Sequence, residues 1–226
     1  MEGIRSPEEP VRRASWEALA AAYWKPAYKH ARLKWRLDPE SAADLVQSFF
    51  GRAFEKDFFS GFDPARARFR TFLKVCLDRH AANEDKASRR LKRGGDEPVV
   101  TIALEAAEAE LARPDQQSVS PDDIFDQEWR RSVINAAVAS LREACERSDK
   151  ASCFTLFERY DLCEGERPTY AALGEQLGLP VTTVTNQLAY ARRELRNQVV
   201  EVLERITASR DELREEAKAL LGIELR

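Results

Sequence analysis

The sequence predicts an all-α protein. In several segments apolar residues recur at the i, i+3, i+4, i+7 spacing of an amphipathic helix, and strand patterns are nearly absent. Two helix-start signals support this fold class, DPE at 38–40 and SPDD at 120–123. In each, a residue that can cap a helix precedes a proline at the first helical position and acidic residues in the first turn. The chain has 226 residues, which is enough for two small domains with a core each.

Composition excludes several classes of protein. Hydrophobic residues make up 43% and charged residues 33%, and no apolar run approaches the roughly 18–20 residues that a membrane helix needs. The first residues contain no apolar segment typical of a secretory signal, so we expect a cytoplasmic protein with no membrane insertion. The four cysteines form no CxxC pair and there are two histidines, so we expect no metal site and no cofactor. No catalytic motif is present, and we expect a protein that is not an enzyme.

Charge is strongly segregated along the chain, although the net charge is only -3. Residues 24–36 contain five lysines and arginines and no acid, and residues 86–93, KASRRLKR, contain five more. Residues 94–128 contain ten acidic residues and one arginine. Because nucleic-acid binding depends on a local basic patch, an acidic total does not exclude it. The alternative is that each run is an ordinary solvated face.

The acidic stretch separates two helical regions, so we predict two domains, a linker and a tail. The linker is polar with few large apolar residues, and its one predicted helix lies near 104–111. In the tail, SRDE at 209–212 has the pattern of a capping box and predicts another helix. The predicted divisions are a first domain at 12–93, an acidic flexible linker at 94–119, a second domain at 120–200 and a helical C-terminal extension at 201–226.

Two features of the first domain are candidate binding surfaces. The helix predicted over 38–56 has an apolar face and an opposite polar stripe that includes Asp44, Gln47 and Ser48. The next helix begins near Phe69 and interleaves aromatic with basic residues, a pattern that can stack unpaired bases and hold their backbone. The alternative is that its phenylalanines belong to the core. The candidate nucleic-acid residues of this region are Arg66, Arg68, Phe69, Arg70, Lys74, Arg79, Arg89 and Arg90.

Residues 173–195, LGEQLGLPVTTVTNQLAYARREL, have the pattern of a helix-turn-helix. Thr169 can cap the first helix, and Gly178 supplies a turn position where a left-handed backbone costs little. Pro180 prevents the first helix from continuing, and Thr182 can cap the second. An ordinary helical hairpin is the alternative.

The second helix of this pair has one apolar and one polar face. Its candidate DNA-binding residues are Thr182, Thr185, Asn186, Gln187, Tyr190 and Arg193. Asparagine and glutamine can pair with adenine, threonine can contact a thymine methyl group, and arginine can hold phosphate or guanine. We therefore predict that this helix binds in the major groove of duplex DNA.

Three segments in this order resemble the bacterial sigma-70 family, specifically its ECF (extracytoplasmic function) group. They are ADLVQSFFGRAF at 43–54, FDPARARFRTFL at 62–73 and PTYAALGEQLGLPVTTVTNQLAYARRELR at 168–196. With the intervening linker, the resemblance covers most of residues 14–197. It implies a transcription initiation factor that binds core RNA polymerase, at the β′ clamp helices and the β flap, and directs it to promoter DNA.

The resemblance also implies a role for each candidate surface. The stripe with Asp44, Gln47 and Ser48 would contact the clamp helices, and residues 62–79 would open and read the −10 element. Arg89 and Arg90 would contact nearby backbone, and the recognition helix would read the −35 element. Family members commonly carry an acid at the position of Ser48, and basic residues are common where this chain has residues 185–187.

Two further expectations concern alternatives and regulation. A stand-alone helix-turn-helix regulator is the alternative function, but it leaves the first domain unexplained. An anti-sigma factor is one regulator that the resemblance suggests. A Ser/Thr kinase acting at Ser48 is the other, because a phosphate would restore negative charge where the family has an acid.

Overall fold

The computed structural model describes residues 4, 7–55, 59, 61–88, 101–113 and 119–224. Over these residues the regular elements are helices and there is no strand, so the all-α prediction is confirmed. The helices are α1 (Glu9–Lys34), α2 (Pro39–Glu55), α3 (Phe69–Ser88), α4 (Thr101–Leu111), α5 (Pro121–Arg147), α6 (Ala151–Asp161), α7 (Tyr170–Leu177), α8 (Val181–Ile206) and α9 (Arg210–Leu221).

Side-chain caps mark the helix starts that the sequence predicted. The Asp38 carboxylate accepts a hydrogen bond from the backbone N–H of Ser41 at 3.0 Å, and the Ser120 hydroxyl accepts from that of Asp123 at 3.1 Å. The serine half of the predicted capping box is also present, since the Glu212 N–H donates to the Ser209 hydroxyl at 3.1 Å, while the Glu212 carboxylate accepts from the N–H of Ala208 and not from that of Ser209. These bonds satisfy amide groups that have no partner inside their own helix.

The chain divides into two compact units, Met1–Ser132 with Glu204–Glu216 and Val133–Leu203 with Ala217–Arg226. These divisions fall within α5, α8 and α9, and they differ from the domain boundaries predicted from sequence. The first part of α5 belongs to the first unit because it carries Phe125 and Trp129, both fully buried there. The predicted linker helix is α4, which packs against α1. The rest of the predicted linker, apart from residues 112–113 and 119, lies outside the described residues.

Aromatic side chains build the core of the first unit. Phe69, at the start of α3, is fully buried. Its ring lies edge-to-face against those of Tyr23, Phe59 and Phe62, with centroids 5.1–5.7 Å apart. Such pairs are each worth about 0.5–1.5 kcal/mol beyond the area they bury. The start of α3 is therefore fixed by its own packing.

The core of the second unit is formed by α5, α6, α7 and α8. Its fully buried members include Leu141, Leu156, Val184, Leu188 and Ala191. The last three recur along one face of α8 as the sequence predicted, so the opposite face of this helix is left to solvent.

The turn between α7 and α8 depends on two glycines. Gly178 has φ 65° and ψ 31°, the left-handed conformation that glycine adopts without strain. Gly174 is buried in α7, and the backbone N–H of Leu179 donates to its carbonyl at 2.8 Å. A Cβ atom at position 174 would lie 2.6 Å from the Leu179 backbone oxygen. The backbone at Leu179 can therefore pack this closely against α7 only because residue 174 is a glycine.

We predict that Gly174→Ala lowers the free energy of unfolding by about 1–3 kcal/mol, because the new methyl group overlaps backbone that cannot move away. Urea denaturation followed by circular dichroism measures the change. Gly51→Ala is the matched control, since position 51 is helical and has no atom within 4 Å of an added Cβ. That control should be neutral or stabilising by up to about 1 kcal/mol. Equal stability of the two variants would contradict this account of the turn.

Candidate nucleic-acid interface

The α7–turn–α8 pair has the local geometry of a helix-turn-helix. The Thr169 hydroxyl caps α7 by accepting from the Ala172 N–H at 3.1 Å. Gly178 ends α7 as predicted, and α8 begins at Val181. The prediction that Thr182 caps α8 is therefore wrong, because Thr182 lies inside the helix. The first turn of α8 is instead closed by hydrogen bonds from the backbone N–H groups of Thr183 and Val184 to the Pro180 carbonyl.

Most of the predicted DNA-binding side chains of α8 lie on its open face. Those exposed to solvent are Thr182, Thr185, Asn186 and Arg193. The Thr185 hydroxyl donates to the Val181 carbonyl at 2.9 Å, so its methyl group remains for an apolar contact. Gln187 is only half-exposed, and its side-chain oxygen is buried without a hydrogen-bond partner among the described residues. In this conformation that oxygen cannot accept a bond from a base.

Tyr190 is half-buried between two cations. The Lys150 ammonium lies 4.0 Å from the centre of its ring, and the Arg193 guanidinium lies 5.6 Å away. Both cations are exposed, so they place positive charge beside the open face of α8. Sequence reasoning missed Lys150, which precedes α6 and carries no local signal of its position.

Arg192 fixes the orientation of α8. Its guanidinium forms two parallel bonds with the Asp161 carboxylate, at 2.9 and 3.0 Å, and a third with the Tyr170 hydroxyl at 3.1 Å. The bond with Asp161 raises the pKa of Arg192. Bidentate pairs of this kind are geometrically specific. Sequence reasoning missed this pair too, because its members are 31 positions apart.

The predicted nucleic-acid residues of α3 and of the loop before it differ sharply in their exposure to solvent. Arg66 and Arg79 are exposed, whereas Phe69 is fully buried and therefore cannot stack on a base in this conformation. Arg70 is also buried, with its guanidinium 4.8 Å from the centre of the Trp129 ring. Arg89 and Arg90 lie outside the described residues.

Acidic side chains from α5 and α9 contact three of the predicted nucleic-acid residues. Arg68 pairs with Glu215 at 2.8 Å, and Arg70 lies 3.3 Å from Glu216. The Lys74 ammonium lies 3.4 Å from Asp126 and 3.7 Å from Asp122. Arg66 has a more local partner, since it lies 3.7 Å from Asp63 in the same loop. Of the predicted basic residues in the described part of α3 and the loop before it, Arg79 is the one without such a partner among the described residues.

A cleft of about 500 Å³ lies beside Arg79. It is lined by Arg52, Gly61, Phe72, Cys76, Arg79, His80 and Asn83. The half-buried Phe72 gives it an aromatic wall, and the exposed guanidinium group of Arg79 supplies positive charge, whereas that of Arg52 lies 3.2 Å from the Glu84 carboxylate. An unpaired base with its phosphate matches that combination. Arg52 and Asn83 were not among the sequence candidates, because nothing local connects α2 with this end of α3.

The predicted polymerase-binding stripe lies at the edge of a second cleft of the first unit. Asp44 and Gln47 are exposed and Ser48 is half-buried. The Ser48 hydroxyl lies 2.7 Å from Nε2 of His80 and 3.1 Å from the Leu45 carbonyl. The cleft has a volume of about 400 Å³ and is lined by Trp35, Leu37, Ser41, Asp44, Leu45, Ser48, Ala81 and Glu84.

The described residues contain no group of three or more histidine, cysteine or acidic side chains that could hold a metal ion. No helix in that part of the chain is both long and apolar enough to cross a membrane. In comparisons with known proteins, the chain matches no protein-family model, no curated protein and no solved structure. The candidate sites therefore have to be interpreted from their own geometry.

We predict that His80 makes stability fall in mild acid. Burial holds the pKa of His80 below its ordinary value, with Glu84 opposing the shift and Arg52 adding to it. Because the folded pKa is the lower one, the stabilisation is fully present above about pH 6.5 and is lost as the pH falls below that value. The free energy of unfolding, measured by urea titration between about pH 7.5 and about pH 5.5, should therefore decline.

His80→Gln is the variant that tests this prediction. It should flatten the decline whatever its effect on absolute stability, because glutamine does not titrate. Carboxylates that do not interact with His80 contribute equally to both proteins and cancel in the comparison. Equal slopes for the two proteins would show that His80 is not the group that titrates.

Proposed function

We propose that the protein is a sigma factor of the ECF type, which binds core RNA polymerase and directs it to promoters. One observation carries the proposal. A capped α7, a left-handed Gly178 and an α8 with one buried and one polar face make a helix-turn-helix whose Asn186 and Arg193 are free for DNA. In duplex DNA such a helix binds the major groove, where every base pair has a distinct pattern of donors and acceptors.

The first unit supports the sigma factor over a stand-alone regulator. A regulator needs only the helix-turn-helix, whereas this chain also has an exposed acidic and amide surface at Asp44 and Gln47. We assign that surface to core polymerase. The cleft at Phe72 and Arg79 is assigned to an unpaired nucleotide of the −10 element, since it joins an aromatic wall to exposed cations.

Titration of the purified chain against core RNA polymerase, followed by transcription from a library of host promoter fragments, tests the function. A sigma factor binds the core enzyme and selects promoters only in its presence. A stand-alone regulator binds selected duplexes without polymerase and leaves the core enzyme unbound. A chain that does neither would contradict both functions.

We predict that Asn186→Ala weakens promoter binding by about 1–3 kcal/mol and relaxes the preference at one base pair of the −35 element. Selection from a promoter library with a randomised −35 region measures both effects. Asn197→Ala is the control, because Asn197 is an exposed asparagine on the same side of α8 but about three helical turns beyond Asn186, past the last residue assigned to base reading. An unchanged selection for Asn186→Ala would remove Asn186 from the reading face.

An anti-sigma factor and a Ser/Thr kinase remain the proposed regulators. For the kinase, we predict that Ser48→Glu binds core polymerase more tightly than the wild type, because it adds charge to the stripe with Asp44 and Gln47. Ser48→Ala, which keeps the site neutral, should not gain affinity. Equal affinities of the three proteins in a core-enzyme titration would exclude Ser48 as the switch.

A further inference from the structure

The first turn of α3 is occupied by carboxylates from α9. Phe69 is the first residue of α3, so its N–H has no partner within the helix. That N–H donates to the Glu212 carboxylate at 2.5 Å. The guanidinium of Arg68, the residue before it, donates to Glu215 at 3.0 Å. The start of α3 thus receives two negative charges from a helix about 145 residues further along the chain.

A third carboxylate, that of Glu216, completes the contact but is poorly satisfied. Glu216 and Arg70 are both buried, and their nearest nitrogen and oxygen atoms are 3.3 Å apart. Within the described residues, both carboxylate oxygens of Glu216 lack a hydrogen-bond partner, and so does Nη1 of Arg70. Burial raises the pKa of Glu216, against the attraction of Arg70 and Arg68. A buried charge pair that lacks hydrogen bonds gains little over its cost of desolvation.

A phosphate group is a second kind of acceptor for the same three donors, the Phe69 N–H and the guanidinium groups of Arg68 and Arg70. A free N–H at a helix N-terminus and two guanidinium groups form the usual set of contacts to a phosphate. A phosphodiester oxygen could accept a hydrogen bond from the unused Nη1 of Arg70. The segment that supplies the donors is also the one that the proposed function assigns to the −10 strand.

Glu212 can leave α3 without unfolding α9. One of its oxygens accepts from Phe69, while the other accepts from the backbone N–H of Ala208 at 2.9 Å and holds the start of α9. Its own N–H is capped by Ser209. The bonds that hold the start of α9 and the bond that docks it are therefore separate, so the release of Phe69 leaves the start of α9 capped.

We propose that α9 is an internal competitor of nucleic acid, whose carboxylates occupy a phosphodiester-binding site at the start of α3. The proposal rests on the proposed function, because the site belongs to the segment assigned to the −10 strand. A single strand binds there only after α9 leaves, so its apparent affinity is reduced by the fraction of molecules in which the site is occupied. Removal of the docking carboxylates should therefore raise affinity for single strands.

Full-length Glu215→Gln and Glu216→Gln test the competition. Glu215→Gln removes an exposed ion pair and should fold normally, whereas Glu216→Gln removes the buried carboxylate. The control is Glu204→Gln, an equal change of charge at an exposed residue of the same unit. The probe is a fluorescent single strand of random sequence, about 20 nucleotides long, followed by anisotropy.

Both docking variants should bind the probe about tenfold more tightly than the wild type, and the control should not. In each protein the slope of log affinity against log salt should include about 0.7 for each arginine that contacts a phosphate in the complex. Equal affinities for the docking and control variants would overturn the proposal. So would failure of every protein to bind the probe.

Hydrogen exchange of the wild-type chain provides a readout that needs no substitution. Saturation with the single strand should accelerate amide exchange in peptides from α9, whereas unchanged exchange there would overturn the proposal. The two proposals also fail separately. If the chain directs promoter-specific transcription but amide exchange in α9 is unchanged by the probe, only the competition proposal is refuted. If the chain does not bind core polymerase but the probe accelerates exchange in α9, only the sigma-factor proposal is refuted.

Discussion

The first unit depends on the burial of Lys29, a cationic side chain only 2% exposed to solvent. An ammonium group that leaves water needs carboxylates around it, and Glu110 of α4 and Glu128 of α5 supply them. Three helices must therefore meet at one point. Removal of one partner from such a buried pair typically costs about 3–5 kcal/mol, because the remaining charge is left uncompensated. The neighbouring Arg32 repeats the arrangement with Glu108, and that bond, against the effect of burial, lowers the pKa of Glu108.

This constraint explains the segregation of charge along the chain. Three of the five basic residues at 24–36 pair with acids at 94–128 in one folded unit, and their separation in sequence conceals the pairing. Lys25 and Lys29 contact Glu110 and Glu128, and Arg32 contacts Glu108. The same principle applies at the start of α3, where α9 supplies the acids. A basic run in this sequence is therefore poor evidence of a nucleic-acid surface until its counterions are known. The cations left at the candidate surfaces, such as Arg79 and Arg193, are few and exposed.

Local sequence signals predicted local structure well. Caps at Asp38, Ser120, Thr169 and Ser209, and the left-handed Gly178, each involve residues within a few positions of one another, so the sequence contains all the information. The prediction of Thr182 as a cap was wrong because α8 begins earlier, with its first hydrogen bonds accepted by the Pro180 carbonyl. The sequence pattern does not reveal that helix start.

Contacts between distant residues were beyond such reasoning. Periodicity places Phe69 on one side of α3, but it does not say whether that side meets solvent or the rings of Tyr23 and Phe62. The pairs Arg192–Asp161 and Arg70–Glu216 likewise join positions without any local pattern. These long-range contacts decide whether a residue orients a helix, as Arg192 does, or is buried away from a ligand, as Phe69 and Arg70 are.

The two candidate nucleic-acid surfaces thus differ in the free energy needed to use them. The polar face of α8 is already exposed and its orientation is fixed by Arg192, so duplex binding requires little rearrangement. At the start of α3 the guanidinium groups of Arg68 and Arg70 are engaged with carboxylates, and binding there must first displace α9. On the proposed function, the polar face of α8 is available to duplex DNA as it stands, whereas capture of a single strand at α3 first requires the release of carboxylates.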